Sequence, residues 1–393
     1  MTRWKTARLS EFCRTGTGGT PSRSKLERYY EGGTIPWVKS GELRESVISK
    51  TDEHVTEAAL KETNVKLVPS GALLLAMYGA TVGRLGILGI DATTNQAVCH
   101  IIPDPNMADV RFLFHALSNQ VSTLISRSVG GAQPNISQGI IRDLELPLPS
   151  LAEQRRIAEV LDKAEALRAK RRAALTQLDS LAQSLFLDLF GDPISNPKCW
   201  PNVRFKEICE RVTVGIVVKP ASYYVSKGVP ALRSLNIKPG KILLRDLVYF
   251  TKTDNETKLA KTKLKAGDLV LVRSGQPGTA AVVPHELDGV NAIDLLIATP
   301  LPKLTDATFL CEFFNSTGGR DLVLSRQRGQ VQKHLNVGSL NQAIIPLPPI
   351  NRQREFARRV RAVDKLKTTQ RASLSDLDAL FASLQHRAFR GEL

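Results

Sequence analysis

The apolar residues of this chain fall into two rhythms that alternate twice along its length. Over residues 1–146, and again over 200–345, short apolar runs stand between glycines. Ala72-Leu-Leu-Leu-Ala-Met-Tyr78 lies between Gly71 and Gly79, and Asp268-Leu-Val-Leu-Val-Arg273 lies between Gly267 and Gly275. Runs this short between turn residues predict buried strands. Patches of helical spacing interrupt them, Val110 to Ile125 in one region and Ala307 to Ser316 in the other. Each region is expected to form one compact domain of mixed strand and helix.

A long helical rhythm follows each of these regions. Leu151 to about Phe190, and Ile350 to about Phe389, start just after prolines (Pro149, Pro348), and Gly191-Asp192-Pro193 supplies a Gly-then-Pro stop for the first. Stepping by fours and threes, Val160, Ala164, Leu167, Arg171, Ala174, Leu178, Leu181 and Leu185 trace a seam with one polar break. The second seam starts weakly (Arg359, Val363, Leu366, Gln370, Ser373) and ends strongly at Leu377, Leu380 and Leu384. A seam of this period needs a partner helix. The chain supplies one itself, so Leu167, Leu178, Leu181, Leu185, Leu366, Leu377, Leu380 and Leu384 are the expected pairing residues. Roughly 40 residues of helix span about 60 Å, enough to act as a ruler. The expected division is 1–149 and 191–348 for the globular parts, with 150–190 and 349–393 as central and distal spacer helices.

The alternation is a duplication. Pro147-Leu148-Pro149 recurs as Pro346-Leu347-Pro348, and Gln154-Arg155 as Gln353-Arg354, 199 positions apart. At the same offset, without a gap, Ala158, Leu167, Arg172, Ala173, Leu175, Leu178, Asp179, Leu181, Ser184, Leu185 and Phe190 meet identical residues. These make 16 identities over positions 147–190, where roughly 3 are expected by chance. The match extends thinly into the globular parts (Gly130 with Gly329, Gln133 with Gln332, Gly139 with Gly338). Each copy is therefore expected to do the same kind of job once.

Charge narrows what that job is. Lys and Arg exceed Asp and Glu by 16, which points to a polyanionic partner, with nucleic acid ahead of a membrane surface. The first residues lack the apolar core of a secretory signal, and the least polar stretch, Gly71 to Ile90, is glycine-rich and carries Arg84. A cytoplasmic protein without a membrane segment is expected. Cys13, Cys99, Cys199, Cys209 and Cys311 contain no CxxC pair and read as buried thiols in a reducing compartment. Catalytic signatures are missing as well: no GxxxxGK[ST], no HExxH, no Asn/Asp-Pro-Pro-Tyr/Phe run, and Gly16, Gly18 and Gly19 do not complete GxGxxG. Glu256-Thr-Lys258 sits in a turn-like run and reads as a solvated loop.

The recurring Pro-Leu-Pro-x-x-x-x-Gln-Arg at the head of a long helix resembles the specificity (S) subunits of type I restriction–modification enzymes. So do Gly32-Gly-Thr-Ile-Pro-Trp37, Gly71-Ala-Leu-Leu-Leu75, Thr94-Asn-Gln-Ala97 and Gly131-Ala-Gln-Pro-Asn-Ile-Ser137. The second half departs: Gly228-Val-Pro-Ala-Leu-Arg233 replaces the Pro-Trp segment, and Asn291-Ala-Ile-Asp294 stands in place of Thr94 to Ala97. The resemblance covers the whole chain. It implies an α+β fold with two target-recognition domains separated by two long helices packed antiparallel. It also implies a non-catalytic subunit that recognises a bipartite duplex DNA target, on which two methyltransferase (M) subunits dock and which translocase–endonuclease (R) subunits join. S-adenosylmethionine, ATP and Mg²⁺ would belong to those partners, with no cofactor or metal on this chain.

Base edges are read by hydrogen-bonding side chains while cations hold phosphates. In the first globular part, Lys39, Ser40, Arg84, Asn95, Gln96, Arg127, Gln133 and Asn135 are of suitable type and lie in or beside predicted loops. The comparable set in the second is Arg233, Ser234, Asn236, Arg273, Ser274, Gln276, Arg326, Arg328, Gln332, Lys333 and His334. Tyr78, Tyr223 and Tyr224 are expected to pack in the core or at its rim. The cluster Arg168, Lys170, Arg171 and Arg172 suits phosphates or a solvated helix face equally. On the residues alone two other readings stay open: a self-contained DNA methyltransferase or nuclease whose site carries no recognised motif, and a non-specific nucleic-acid-binding scaffold.

Overall fold

A computed structural model describes residues 4–127, 134–325 and 334–393. The chain forms two compact units, one of Met1–Arg171 with Ser373–Leu393 and one of Arg172–Ala372. This partition differs from a division at the helix ends, because each long helix contributes half of its length to each unit.

In the first unit, β1 (Thr6–Arg8) pairs antiparallel with β10 (Glu145–Pro147), which ties the Pro-Leu-Pro corner to the start of the chain. The main sheet holds β2 (Cys13–Thr17), β9 (Val98–Pro103), β6 (Leu73–Ala76), β7 (Leu85–Leu88) and β4 (Val47–Ile48), in that spatial order. A smaller sheet orders β5 (Glu53–Val55), β3 (Ile35–Val38) and β8 (Thr93–Thr94). All four residues of β6 are buried, because Leu73 and Leu75 enter one core while Leu74 and Ala76 enter another. A strand covered on both faces reads as one continuous apolar run. The helix Val110–Ser126 packs on the first face, and the Asp109 side chain caps it by accepting from the Arg111 and Phe112 N–H groups.

The second unit repeats this plan. β11 (Asn202–Arg204) pairs with β21 (Ile344–Pro346). The main sheet orders β12 (Cys209–Val214), β20 (Leu295–Pro300), β17 (Leu269–Val272) and β18 (Ala280–Val282). The smaller one orders β16 (Val248–Phe250), β13 (Val229–Leu232) and β19 (Asn291–Ala292), and β14 (Ile237–Lys238) and β15 (Lys241–Ile242) make a hairpin. β17 splits its side chains as β6 does, Leu269 and Leu271 one way, Val270 and Val272 the other. Asp306 caps the helix Ala307–Asn315, which fills the place of Val110–Ser126.

The long helices run Leu151–Phe190 and Ile350–Arg390. Gly191 at φ +82° ends the first, its N–H bonded to the Leu187 carbonyl at 2.8 Å. In the first unit Ile157, Ala158 and Leu161 join the core with Ala388, and in the second Phe186 and Phe190 join it with Phe356 and Val360. Pairing within each unit is antiparallel. In the first, Arg156 reaches the Leu393 carbonyl at 2.7 Å while Arg168 reaches Asp378 at 2.7 Å. In the second, Asp179 meets Lys367 at 3.3 Å while Phe190 meets Phe356 with ring centroids 5.3 Å apart.

These contacts correct the expected seam. Leu178, Leu185, Leu377 and Leu384 are half-buried, but Leu167, Leu181, Leu366 and Leu380 are exposed. The inward row instead passes through Ile157, Leu161, Ala164 and Arg168, then Leu178, Ala182 and Leu185. Mid-helix contact is made by the aliphatic stems and charges of Arg168 and Lys367, which a count of apolar residues does not register. The cysteines are corrected too: Cys13, Cys99, Cys209 and Cys311 are buried, whereas Cys199 is exposed in the turn after Gly191.

Burial also perturbs one acid. Glu312, on Ala307–Asn315, has its carboxyl pushed up from 4.5 to about 7, chiefly by desolvation, with Asp364 adding to the rise and Lys367 opposing it. Holding the proton favours the folded state, so this contribution is complete below pH 4.5 and is lost as the pH rises through about 7. Glu312→Gln is expected to raise unfolding stability by about 2 kcal/mol at pH 8 and to have little effect near pH 4.5. Urea unfolding at the two pH values checks both the sign and the window.

Candidate nucleic-acid interface

Backbone hydrogen bonds lace four loop segments of the first unit into one edge. The Val38 carbonyl accepts from the Asn95 N–H at 2.9 Å, which sets Lys39 and Ser40 beside Asn95 and Gln96. The Ala97 carbonyl accepts from the Met77 N–H, and the Met77 carbonyl from the Ile136 N–H, each at 2.8 Å. Tyr78 and Asn135 form a bridge at the same place. Arg84 joins them through its carbonyl, which accepts from the Ala76 N–H at 2.9 Å. Gly83 lies against Val121 and Ile125, so the last turn of Val110–Ser126 brings Arg127 towards this end. Arg84, Gln96, Arg127 and Asn135 are exposed.

The second unit builds the same edge. The Leu232 carbonyl accepts from the Ile293 N–H at 2.8 Å, Val272 pairs with Leu295, and the Arg273 carbonyl accepts from the Leu335 N–H at 3.0 Å. Arg233 and Ser234 therefore stand beside Ile293 and Asp294, with Arg273, Ser274 and His334 next to them. Close backbone passage is needed in both units. A Cβ at Gly18 would lie 2.0 Å from the Thr94 carbonyl oxygen, and one at Gly215 would lie 2.4 Å from that of Ala292. Gly18, one of the glycines that fail to complete a phosphate loop, thus lets the chain cross β8, as Gly215 does at β19, and the first crossing brings the Thr20 hydroxyl to donate to Gln96.

Side chains on the two edges are held differently. Lys39 is bonded to Glu53 at 2.7 Å, and Arg23 reaches the same carboxylate at 2.6 Å. The Lys39 hydrogen bond is the main cause that holds Glu53 below its ordinary range and raises Lys39 above its own. In the second unit Arg273 donates to Asp294 at 2.6 Å and meets His334 Nε2 at 2.8 Å. Arginine can only donate, so Nε2 accepts and Nδ1 carries the proton towards Ser274 Oγ, 2.7 Å away. This fixes a planar donor group at the rim, with its side chain 16% exposed.

Several expected readers change role. Asn236 is fully buried: its amide donates to the Leu243 and Arg245 carbonyls at 2.9 and 2.8 Å and accepts from the Arg233 N–H at 2.9 Å. It is a turn clamp, the counterpart of Glu42, which accepts from the Lys39 N–H at 2.7 Å. Arg233 commits a donor to the Asp246 carbonyl. Asn291 pairs with Ala231 as Thr93 pairs with Trp37, so it stands in place of Thr93, and Asp294 in place of Gln96. That is one residue away from the alignment read from the sequence, and it adds Asp294, the partner of Arg273, to the candidate edge. Arg168 is not on a phosphate face, since it binds Glu165 and Asp378 and lies 4.4 Å over the Phe381 ring. Tyr223 and Tyr224 pack on Phe250 as rim residues. Gln276 is exposed beside Ser274. Gln133, Arg326, Arg328, Gln332 and Lys333 lie outside the described residues. Among the described residues no acidic or histidine–cysteine cluster could hold a metal ion.

Known proteins resemble this chain in sequence and in fold. The family model described as "Type I restriction modification DNA specificity domain" matches residues 1–177. The EcoR124I/EcoR124II specificity subunit of Escherichia coli is 28% identical over 169 residues, 42% of this chain and 41% of that one. The MjaIX specificity subunit of Methanocaldococcus jannaschii is 24% identical over 374 residues, 88% of this chain and 83% of that one. The crystal structure of a type I restriction–modification S subunit from M. genitalium superposes with a TM-score of 0.58 at 16% identity, covering 98% of this chain and 96% of that one, and so shares its fold.

The distinction between clamp and reader is measurable. Asn236→Ala leaves buried carbonyls unpaired and is expected to cost about 2 to 4 kcal/mol of stability. Ser40→Ala and Gln276→Ala are expected to stay within about 0.5 kcal/mol of the parent. Thermal or urea unfolding of the three variants separates the classes.

Proposed function

The chain belongs to the specificity subunits of type I restriction–modification enzymes, and on that footing we propose that its two units each read one half of a split duplex DNA site. The observation that carries this reading is the recurrence, once per unit, of the same four-segment edge with different side chains on it. Similar scaffolds with different readers suit a target whose two halves differ in sequence. In the first unit the proposed readers are Ser40, Arg84, Asn95, Gln96, Arg127 and Asn135, with Lys39 held in reserve by Glu53. In the second they are Ser234, Arg273, Ser274 and Gln276, with Arg233 in support. The chain is the non-catalytic recognition component. S-adenosylmethionine, ATP and Mg²⁺ are assigned to methyltransferase and restriction partners.

Affinity for duplex DNA is expected to fall with salt at a slope of about −0.9 per phosphate neutralised. Arg84→Ala or Arg273→Ala is expected to weaken specific binding roughly tenfold or more, whereas Arg172→Ala on the long helix leaves it near the parent value. Equal losses at all three positions would remove the proposed edge from contact with DNA. Methylome sequencing of host cells with and without this chain tests the function itself: a bipartite methylated site must appear only when the chain is present.

The exposed leucines support a second element of the proposal. Leu167 and Leu181 on the first long helix, and Leu366 and Leu380 at the equivalent places on the second, leave apolar side chains in solvent. We assign them to the docking of two copies of one methyltransferase subunit. Leu181→Asp or Leu380→Asp is then expected to reduce the bound copies from two to one with the melting temperature unchanged. Leu178→Asp, in the paired face, is expected to lower the melting temperature as well. Native mass measurement with a parallel melting curve separates assembly from folding.

A further inference from the structure

The repeated glutamine of the Pro-x-Pro corner has a role that DNA reading does not require. Gln154 and Gln353 are fully buried, each in the opening turns of a long helix. Gln154 Oε1 accepts from the Asp109 N–H at 2.8 Å, and its Nε2 donates to the Met107 and Pro149 carbonyls, both at 2.9 Å. Gln353 Oε1 accepts from the Asp306 N–H at 2.9 Å and the Thr305 hydroxyl at 3.0 Å, while its Nε2 donates to the Pro348 carbonyl at 2.7 Å and the Leu304 carbonyl at 3.3 Å. One amide in each unit therefore joins three segments: the long helix, the proline corner, and the loop whose aspartate caps the domain helix.

We infer that Gln154 and Gln353 are positioning residues that set the angle at which each globular part is carried on its own long helix, and through that angle the number of base pairs between the half-sites. The amide accepts through its oxygen and donates two bonds through its nitrogen, which an ionised carboxylate of the same length cannot do. Glutamate would lose both bonds to carbonyls, and a hydrocarbon would leave every partner buried and unpaired. The lever is explicit in the first unit. The clasp holds the N-terminal end of Val110–Ser126, and the reading edge lies by its C-terminal end near Arg127. That helix is about 25 Å long, so a tilt of about 8° at the clasp displaces the far end by about 3.4 Å, close to one base-pair step. Neither glutamine lies on the reading edge, so a loosened clasp should change spacing and not sequence preference. The neighbouring Arg155 is exposed and meets the Asp109 carboxylate only at 3.9 Å, a solvent-screened ion pair that adds no buried bond to the joint.

The inference rests on the recognition of a bipartite site proposed above. Its test uses the whole assembled methyltransferase and a set of duplexes that keep both half-sites but shorten or lengthen the gap by one or two base pairs. The parent is expected to methylate one gap length. With Gln154→Glu, Gln154→Ala or Gln353→Ala, methylation of the neighbouring gap lengths is expected to rise from background to within about tenfold of the cognate rate, with the half-site bases unchanged. Thr305→Val removes a single bond of the second clasp at constant shape and is expected to produce a smaller relaxation, which keeps the test decisive if the glutamine variants fold poorly. Arg155→Ala should leave the gap strict. Strict spacing at the parent rate in the folded variants, an equal loss at every gap, or altered half-site bases would each overturn the clasp. A parent enzyme with no bipartite preference would instead overturn the functional reading on which it rests.

Discussion

Neither core is complete without helix ends drawn from opposite parts of the sequence. Ile157, Ala158 and Leu161 fill the first core only alongside Ala388, with Phe389 packed 5.7 Å from Phe112. Phe186 and Phe190 fill the second only alongside Phe356, with Phe190 packed 5.0 Å from Phe309. Antiparallel helix pairing is thus a condition of each globular fold. Two tryptophans, one shortly before the first strand of each unit, show the same dependence. Trp4 donates to the Ala388 carbonyl at 3.1 Å, and Trp200 to the Phe190 carbonyl at 3.0 Å, each sealing a helix end against that strand.

This dependence explains which features could be read from sequence. Continuous apolar runs at β6 and β17 and the proline and glycine punctuation of the long helices are local signals, and both strands and both helices lie within a few residues of where those signals put them. The division into units was not local, because it follows which helix half fills which core. The seam failed at Leu167, Leu181, Leu366 and Leu380 for a related reason: Arg168 and Lys367 turn inward, where Asp378 and Asp179 on the opposing helix help to neutralise them. A buried lysine needs a partner that no periodicity reveals.

The candidate edge was legible by segment and less so by side chain. Lys39, Asn95, Gln96 and Asn135 from the first unit, and Arg233, Arg273, Ser274 and His334 from the second, were picked from three separate stretches of each unit that the fold brings to one edge. Residue type alone could not distinguish Asn236, whose amide is consumed by backbone carbonyls, from Gln276, which faces solvent. Asp294 stayed hidden because its importance comes from Arg273, which it orients across 21 positions of sequence.

One pair of contacts bears on how such a chain could arise. Arg168 binds Asp378 in the first unit, and Lys367 binds Asp179 in the second, while Asp378 and Asp179 occupy the same position of the repeat, as do Arg168 and Lys367. Each copy therefore carries both the cation and the anion of the bond, placed so that it is complementary to another copy of itself. An ancestor of half this length would have had a ready partner in its own twin, joined by two symmetry-related ion pairs. Fusion of the two genes would have added no new interface; it would have released each recognition surface to diverge independently of the other.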